Sequence, residues 1–400
     1  MSYDDARKHG DEILEMTSAR LMPPWHPAKA AGFPELRDER RLTDAQIATI
    51  RRWVDAGMPS GDLKRAPVPP IFPASWKLGV PDLILTLPRP IGVPAGGPDV
   101  YRNVLLSLDF MEDRWITAID YQPSARQVVH HALFFAGPAG VIVRDDEAVP
   151  GLGRGLGRGS AESPGERIGG VDDAWSGLGG WVPGITPKFY PDGIAQPLPR
   201  NSNLVMQLHL HPSGTATEED GRLAIYFAKA PPQKSLTGVQ VPPAFGFAMG
   251  IDIPAGEPRY AIRDSFELPV DVEAYGARGH AHYLCREMKM TATLPDGSSR
   301  GLLWIGRWDF AWQDSYYFKT PIRLPKGTKI TVDIAYDNSA ANLANPNSPP
   351  VRVRWGREST DEMGSMTLLV GTPSGAEQQA LRAAQAQHLR QQVVKNLMRR

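Results

Sequence analysis

The chain has 400 residues, 42% of them hydrophobic and 22% charged, and its 44 basic and 44 acidic side chains cancel. That is enough apolar material for two or more cores without crosslinks, and the lack of a basic excess argues against nucleic acid or an anionic membrane surface as main partner. The single cysteine, Cys285, excludes an internal disulfide, a Cys-x-x-Cys zinc knuckle and a Cys-x-x-Cys-His haem attachment, and no apolar run reaches the roughly 18 residues of a membrane span.

The chain opens without the apolar stretch of an export signal, so as written it reads as cytoplasmic. Apolar residues recur at helical spacing over 4–21. A second helix is bracketed by Thr43 as N-cap, Gln46 completing a capping box and Gly57 as C-cap. From residue 66 a proline-rich linker leads into short β-rich runs, DLILTL, NVLLSLDF, RWITAID and QVVHHALFF, each bounded by Pro, Gly or Asp. Residues 150–200 hold 13 Gly and 7 Pro, which predicts a long surface loop with no helix or long strand. Strands resume with NLVMQLHLH and LAIYFAK. After a second proline-rich joint at 231–243 come AIRDSFELP, DVEAYGARGHAHYL, a hairpin around LPDGSS, and further strands to VRVRWG.

The fold class predicted is therefore mainly β. A helical segment (1–65) precedes two antiparallel β-sandwich domains (66–232 and 233–372), and an Ala-, Gln- and Arg-rich helical tail (373–400) follows.

Six of the nine histidines fall in three pairs: His130 with His131, His209 with His211, His280 with His282. Residues two apart on a strand share a face, so each His-x-His is a two-ligand clamp for a metal. Adjacent His130 and His131 would point to opposite faces, so joint ligation there requires a strand end or a bulge. Imidazole alone does not choose among zinc, copper, nickel and iron, but a thioether would favour Cu(I), and Met363 follows a polar turn in RWGRESTDEMGSM. A zinc or iron hydrolase built on one His-x-His pair would need a carboxylate as well, from Glu287 or Glu362. Cys285, three residues after His282, is either an oxidisable thiol beside a metal or a small buried hydrophobe.

The order VVHH, QLHLH, RGHAHYL and STDEM, over about residues 66 to 372, resembles the type II copper, ascorbate-dependent monooxygenases, the family of the peptidylglycine α-hydroxylating and dopamine β-monooxygenases. The resemblance implies two jelly-roll-like sandwiches that face each other, each carrying one copper ion. It carries His130, His131 and His209 onto the first copper and His280, His282 and Met363, the catalytic set, onto the second. It leaves His211 out of the ligand set, near it or facing solvent, and gives Gln207 a role orienting a ligand or a water.

The function implied is hydroxylation of a C–H bond in a small molecule or peptide end, with O2 and ascorbate or another one-electron donor as partners. A copper storage or delivery protein on the same fold is the alternative. Arg278 occupies the position of a substrate-carboxylate arginine, whereas Ser365 and Thr367 stand where the family has its other two substrate contacts, and the family's disulfides are absent.

The front end, SARLMPPWHP followed by RRLTDAQIATIRRWVDAGMPSGD, resembles the C-terminal part of a bacterial c-type cytochrome domain, with Met22 matching an axial ligand and His26 nearby. Without an attachment motif this chain binds no covalent haem. Either residues 1–65 are a cytochrome-c-like remnant whose helices only pack against the sandwich, or the true start lies further upstream, which would supply the missing export signal and make the protein periplasmic or secreted.

Overall fold

The computed structural model describes residues 2–65, 76–138, 176–183, 185–356 and 358–398. The linker at 66–73 and the glycine-rich stretch up to residue 175 lie outside the described residues.

The front segment holds α1 (Tyr3–Lys8), α2 (Gly10–Ser18) and α3 (Asp44–Asp55). The helix expected over 4–21 is thus two helices, broken at His9 (φ −111°, ψ 19°), where His9 and Gly10, both poor helix formers, adjoin. The α3 capping box forms as its sequence dictates. Thr43 Oγ1 accepts from Gln46 N–H at 3.2 Å and Gln46 Oε1 accepts from Thr43 N–H at 2.8 Å. Between α2 and α3 the chain runs over the second sandwich. Trp25 and Leu36 join its core, with bridges from Pro27 to Ile305 and from Leu36 to Phe318.

The first half supplies β1 (Leu83–Thr86), β2 (Ile91–Val93), β3 (Val100–Leu106), β4 (Arg114–Gln122), β5 (Val129–Pro138), β6 (Ser176–Trp181), β7 (Ile194–Leu198), β8 (Ser202–Leu210), β9 (Thr217–Glu219) and β10 (Arg222–Phe227), and β11 (Lys234–Val241) opens the second. The second half supplies β12 (Asp252–Ile253), β13 (Tyr260–Glu267), β14 (Val272–Ala281), β15 (Cys285–Thr293), β16 (Ser299–Ile305), β17 (Ser315–Leu324), β18 (Lys329–Tyr336), β19 (Val353–Arg354) and β20 (Gly364–Thr372).

The architecture is mainly β and built of sandwiches. A long sheet in the order β1-β10-β4-β7-β11-β20-β14-β17 runs through both halves, and two four-stranded sheets, β3-β8-β5-β6 and β13-β18-β15-β16, complete the layers. The halves join where β7 and β11 pair in parallel, Ile194 opposite Lys234 and Ala195 opposite Ser235. Each half has its own core. Ile116, Phe134, Trp181, Leu208 and Ile225 pack in the first, and Val239, Met288, Phe318, Ile334 and Leu368 in the second. Alternation sets the inward faces, as in β13, where Ile262 and Phe266 are buried while Ala261, Arg263 and Glu267 are exposed.

Two strands, β6 and β7, lie within the stretch read as a loop, correcting that expectation. In β6 the glycines permit pairing where a side chain would clash, since a Cβ on Gly180 would lie 2.8 Å from the Ala132 carbonyl oxygen of β5.

The tail forms α4 (Gly375–Met398), docked by Leu381 in the second core and by hydrogen bonds from His388 and Gln392 to Asp264. Among the described residues no helix is long and apolar enough to cross a membrane.

Candidate metal centre

His131 and His209 face each other across the β5–β8 pairing, and the register shifts between Val129 and His131. That irregularity is the bulge that adjacent histidines need in order to reach one point, and it turns His130 to the same side. One ring nitrogen from each of His130, His131 and His209 lies within 4.8 Å of the others. The Nδ1 atoms of His130 and His131 are 3.0 Å apart. Nitrogens sharing one ion at about 2.0 Å stand roughly 3 Å apart, so the spacing fits a common metal.

His209 Nε2 donates to Asp99 Oδ2 at 2.5 Å, which leaves Nδ1 for the cluster, and Tyr101 stacks on its ring at 4.2 Å. A carboxylate behind a histidine fixes tautomer and orientation, as metal-ligating histidines require. His211, exposed, binds the other oxygen of Asp99 at 2.6 Å. Burial acts to raise the Asp99 pKa, but hydrogen bonds from the two rings outweigh it and bring the carboxyl down to about 2. Gln207, buried two residues before His209, donates its amide to Asn103 Oδ1 at 2.9 Å.

The second group gathers where β14 meets β20. His280 lies opposite Ser365 and Ala281 opposite Gly364, and His282 and Met363 follow directly beyond these paired strand ends. The rings of His280 and His282 are 5.6 Å apart by centroid. His280 Nδ1 binds Gln313 Oε1 at 2.8 Å and His282 Nδ1 binds the Asp361 carbonyl at 3.1 Å, which leaves each Nε2 for a ligand.

Glu362, fully buried, ties this group together. Its Oε1 accepts from the backbone N–H groups of His282 at 2.6 Å and Met363 at 2.8 Å, and Oε2 from that of Leu284 at 2.9 Å. Those oxygens are spent on the backbone, so Glu362 is not the carboxylate ligand a hydrolase would need. Tyr336 Oη donates to the Met363 carbonyl at 2.9 Å, and a Cβ on Gly364 would lie 2.0 Å from that hydroxyl oxygen, so only glycine fits after Met363.

The histidines that gather were thus legible in sequence, His130, His131 and His209 in one cluster and His280 beside His282. Asp99, Gln313 and the structural use of Glu362 were not, because each reaches its histidine from a distant segment with no motif of its own. Phe310 was missed as well, and its ring lies 4.6 Å from His130 and 5.7 Å from His282 by centroid.

Arg278 lies on β14 opposite Thr367, near the phenols of Tyr190 and Tyr317, and half-buried. Among the described residues no carboxylate pairs with it, and burial lowers its pKa. Cys285 is buried, its thiol pushed well up by burial and therefore kept protonated and inert. At the front end Met22 is half exposed, while His26 is buried with no hydrogen bond to either ring nitrogen.

No family model matches this chain, and no curated protein matches it. Among solved structures it is similar to the VP2 subviral particle of infectious bursal disease virus, at 10% identity over 72% of each chain with a TM-score of 0.17. At that TM-score the likeness carries no argument about fold or function.

Burial keeps these imidazoles neutral, the state that binds metal. It lowers His130 to about 3 and His280 to about 4, and holds His131 and His282 well below 6.5. As pH falls from 6.5 toward 4, the unfolded chain takes up protons that the folded metal-free protein does not. Stability is therefore full above pH 6.5 and lost on acidification, by about 1.4 kcal/mol per pH unit for each such histidine. Thermal melts of metal-free protein at a series of pH values check this. A melting temperature that stays level across that window would contradict the burial of the rings.

Proposed function

We propose that this chain is a copper-dependent monooxygenase of the type II, ascorbate-dependent kind, hydroxylating a C–H bond of a small molecule or peptide end. The observation that carries the reading is the convergence of His130, His131 and His209, with ligating atoms within 4.8 Å and the far nitrogen of His209 held by Asp99. The shared use of Glu362 Oε1 by the backbone N–H groups of His282 and Met363 supports it, because it brings the two backbones together, and a thioether joining the two imidazoles there would make a donor set that favours Cu(I).

When bound, two copper ions would supply electrons taken from ascorbate or another one-electron donor and a place to activate O2. The chain's own residues do the rest. Asp99, Gln313 and the Asp361 carbonyl hold the tautomers, and burial keeps the rings neutral. Arg278, half-buried and with no carboxylate partner among the described residues, is the residue to hold an anionic group of the substrate.

Metal analysis of protein reconstituted with copper, followed by reductant-dependent oxygen uptake, tests the proposal. Two coppers per chain and uptake that requires reductant support it. Two coppers without turnover would make the protein a copper store or carrier, and zinc or iron in preference to copper would end the reading.

A further inference from the structure

The front segment and the second sandwich enclose a cleft of about 320 Å³ that neither histidine group uses, a volume in the range of small-molecule sites. Its walls are the last turn of α2, the first turn of α3, the chain that runs between them and the loop after β16. Three arginines line it, Arg20, Arg41 and Arg307, and among the described residues no carboxylate does. Trp25, Leu42 and Ile47 give it apolar walls.

His26 lines the same cleft at 6% exposure, and neither of its ring nitrogens has a hydrogen-bond partner. The Asp309 carboxylate stands 3.8 Å from Nε2 and the Arg307 backbone is close by, neither in bonding geometry. Burial, opposed by Asp309 and aided by Arg307, lowers the His26 pKa, so the ring is neutral and offers one donor and one acceptor. A buried polar group left without a partner is costly, and a ligand that completes it removes the cost. The arginines also have donors to spare. Arg20 is turned to Asp44 and to the Leu42 carbonyl, and Arg41 to Glu39 at 3.0 Å and to the Pro27 carbonyl, but each guanidinium carries five N–H groups. The Asp44 side chain is 94% exposed, so water screens that pair. Arg307 donates to the Arg20 carbonyl at 3.3 Å, and no carboxylate among the described residues pairs with it.

We propose that this cleft binds a small organic dicarboxylate, held by Arg307 with Arg20 and Arg41 and hydrogen-bonded by His26. Three cationic side chains call for more than one negative charge, the planar guanidinium fork matches a carboxylate, and the apolar walls take a carbon skeleton that inorganic phosphate lacks. The site borders the loop that carries Trp308, whose Nε1 donates to the His282 carbonyl at 3.0 Å, and Gln313, which meets His280. It is built from other residues than the two histidine groups, so it stands independently of the copper reading.

The test titrates full-length, metal-free protein with succinate by calorimetry, with inorganic phosphate as the comparison, and follows the imidazole nitrogens of histidine-labelled protein by NMR. One succinate should bind per chain, more tightly than phosphate, and move the imidazole signal that is missing from His26→Phe. Arg307→Ala and His26→Phe should each weaken binding about tenfold or more, while Arg278→Ala, which removes the other half-buried arginine, should leave it unchanged. Melting curves confirm that each variant is folded. Binding that never saturates at millimolar succinate, an unmoved His26 signal, or folded Arg307→Ala and His26→Phe variants that bind as tightly as the unaltered chain would overturn the site. Loss of binding in Arg278→Ala would overturn it too and place the anion at β14, and phosphate binding as tightly as succinate would overturn the dicarboxylate.

Discussion

Glu362→Ala is expected to lower the folding stability of the metal-free protein by about 3 to 9 kcal/mol, because it strands three buried N–H groups at about 1 to 3 kcal/mol each. Those donors, on His282, Leu284 and Met363, have a single carboxylate as shared acceptor. Urea unfolding measures the loss, and a change below about 1 kcal/mol would mean that water or another group replaces the carboxylate. Because the same side chain fixes His282 against Met363, the variant should also bind Cu(I) more weakly at that group while the three-histidine cluster keeps its metal.

Glu362→Gln separates charge from geometry. It retains an acceptor for His282 and Met363 but turns an NH2 toward Leu284, so a loss of about 1 to 3 kcal/mol is expected. Burial pushes the Glu362 carboxyl up to about 8 against the pull of backbone N–H groups from His282, Met363 and Leu284. A raised carboxyl pKa means that the folded state holds the proton more tightly. Its contribution is full below pH 4.5 and declines as pH rises to about 8, opposite in sign to that of the histidines. The Gln variant, unable to ionise, should lose that alkaline decline.

His131→Ala is expected to reduce bound copper from two ions per chain to one and to abolish reductant-dependent turnover. His131 is the member of the cluster that faces His209 directly across the β5–β8 pairing, and His130 and His209 alone leave a two-nitrogen site. Removing a ligand outright should exceed the 10–100-fold loss of affinity typical of removing a group behind one. Metal analysis after dialysis reads the stoichiometry. Retention of two coppers in the variant would show that the cluster is not a metal site. Met363→Ala provides the contrast, weakening Cu(I) at the other group while leaving Cu(II) on the two imidazoles.

Short apolar runs of period two, punctuated by Gly and Pro, determined from sequence alone that the chain is built of β-sandwiches, since only buried alternate faces make such runs stable. Spacing also gave each His-x-His pair one strand face, whereas His211 and His282 fall one residue beyond the ends of β8 and β14, and it required a bulge for His130 and His131 to act together, which β5 has. Two helices where one was expected, and strands in the glycine-rich stretch, were decided by neighbours. Gly180 reads as a loop former in isolation, but it is required where β6 lies against the Ala132 carbonyl.

Tertiary structure alone decided what stands behind and between the histidines. Asp99 reaches His209 from 110 residues away, Glu362 reaches the His282 backbone from 80, and Phe310 meets His130 across the two halves. Local sequence encodes backbone periodicity, because that depends on near neighbours. A contact between distant segments depends on how whole sheets stack, so no run of residues around Asp99, Glu362 or Phe310 announces its partner.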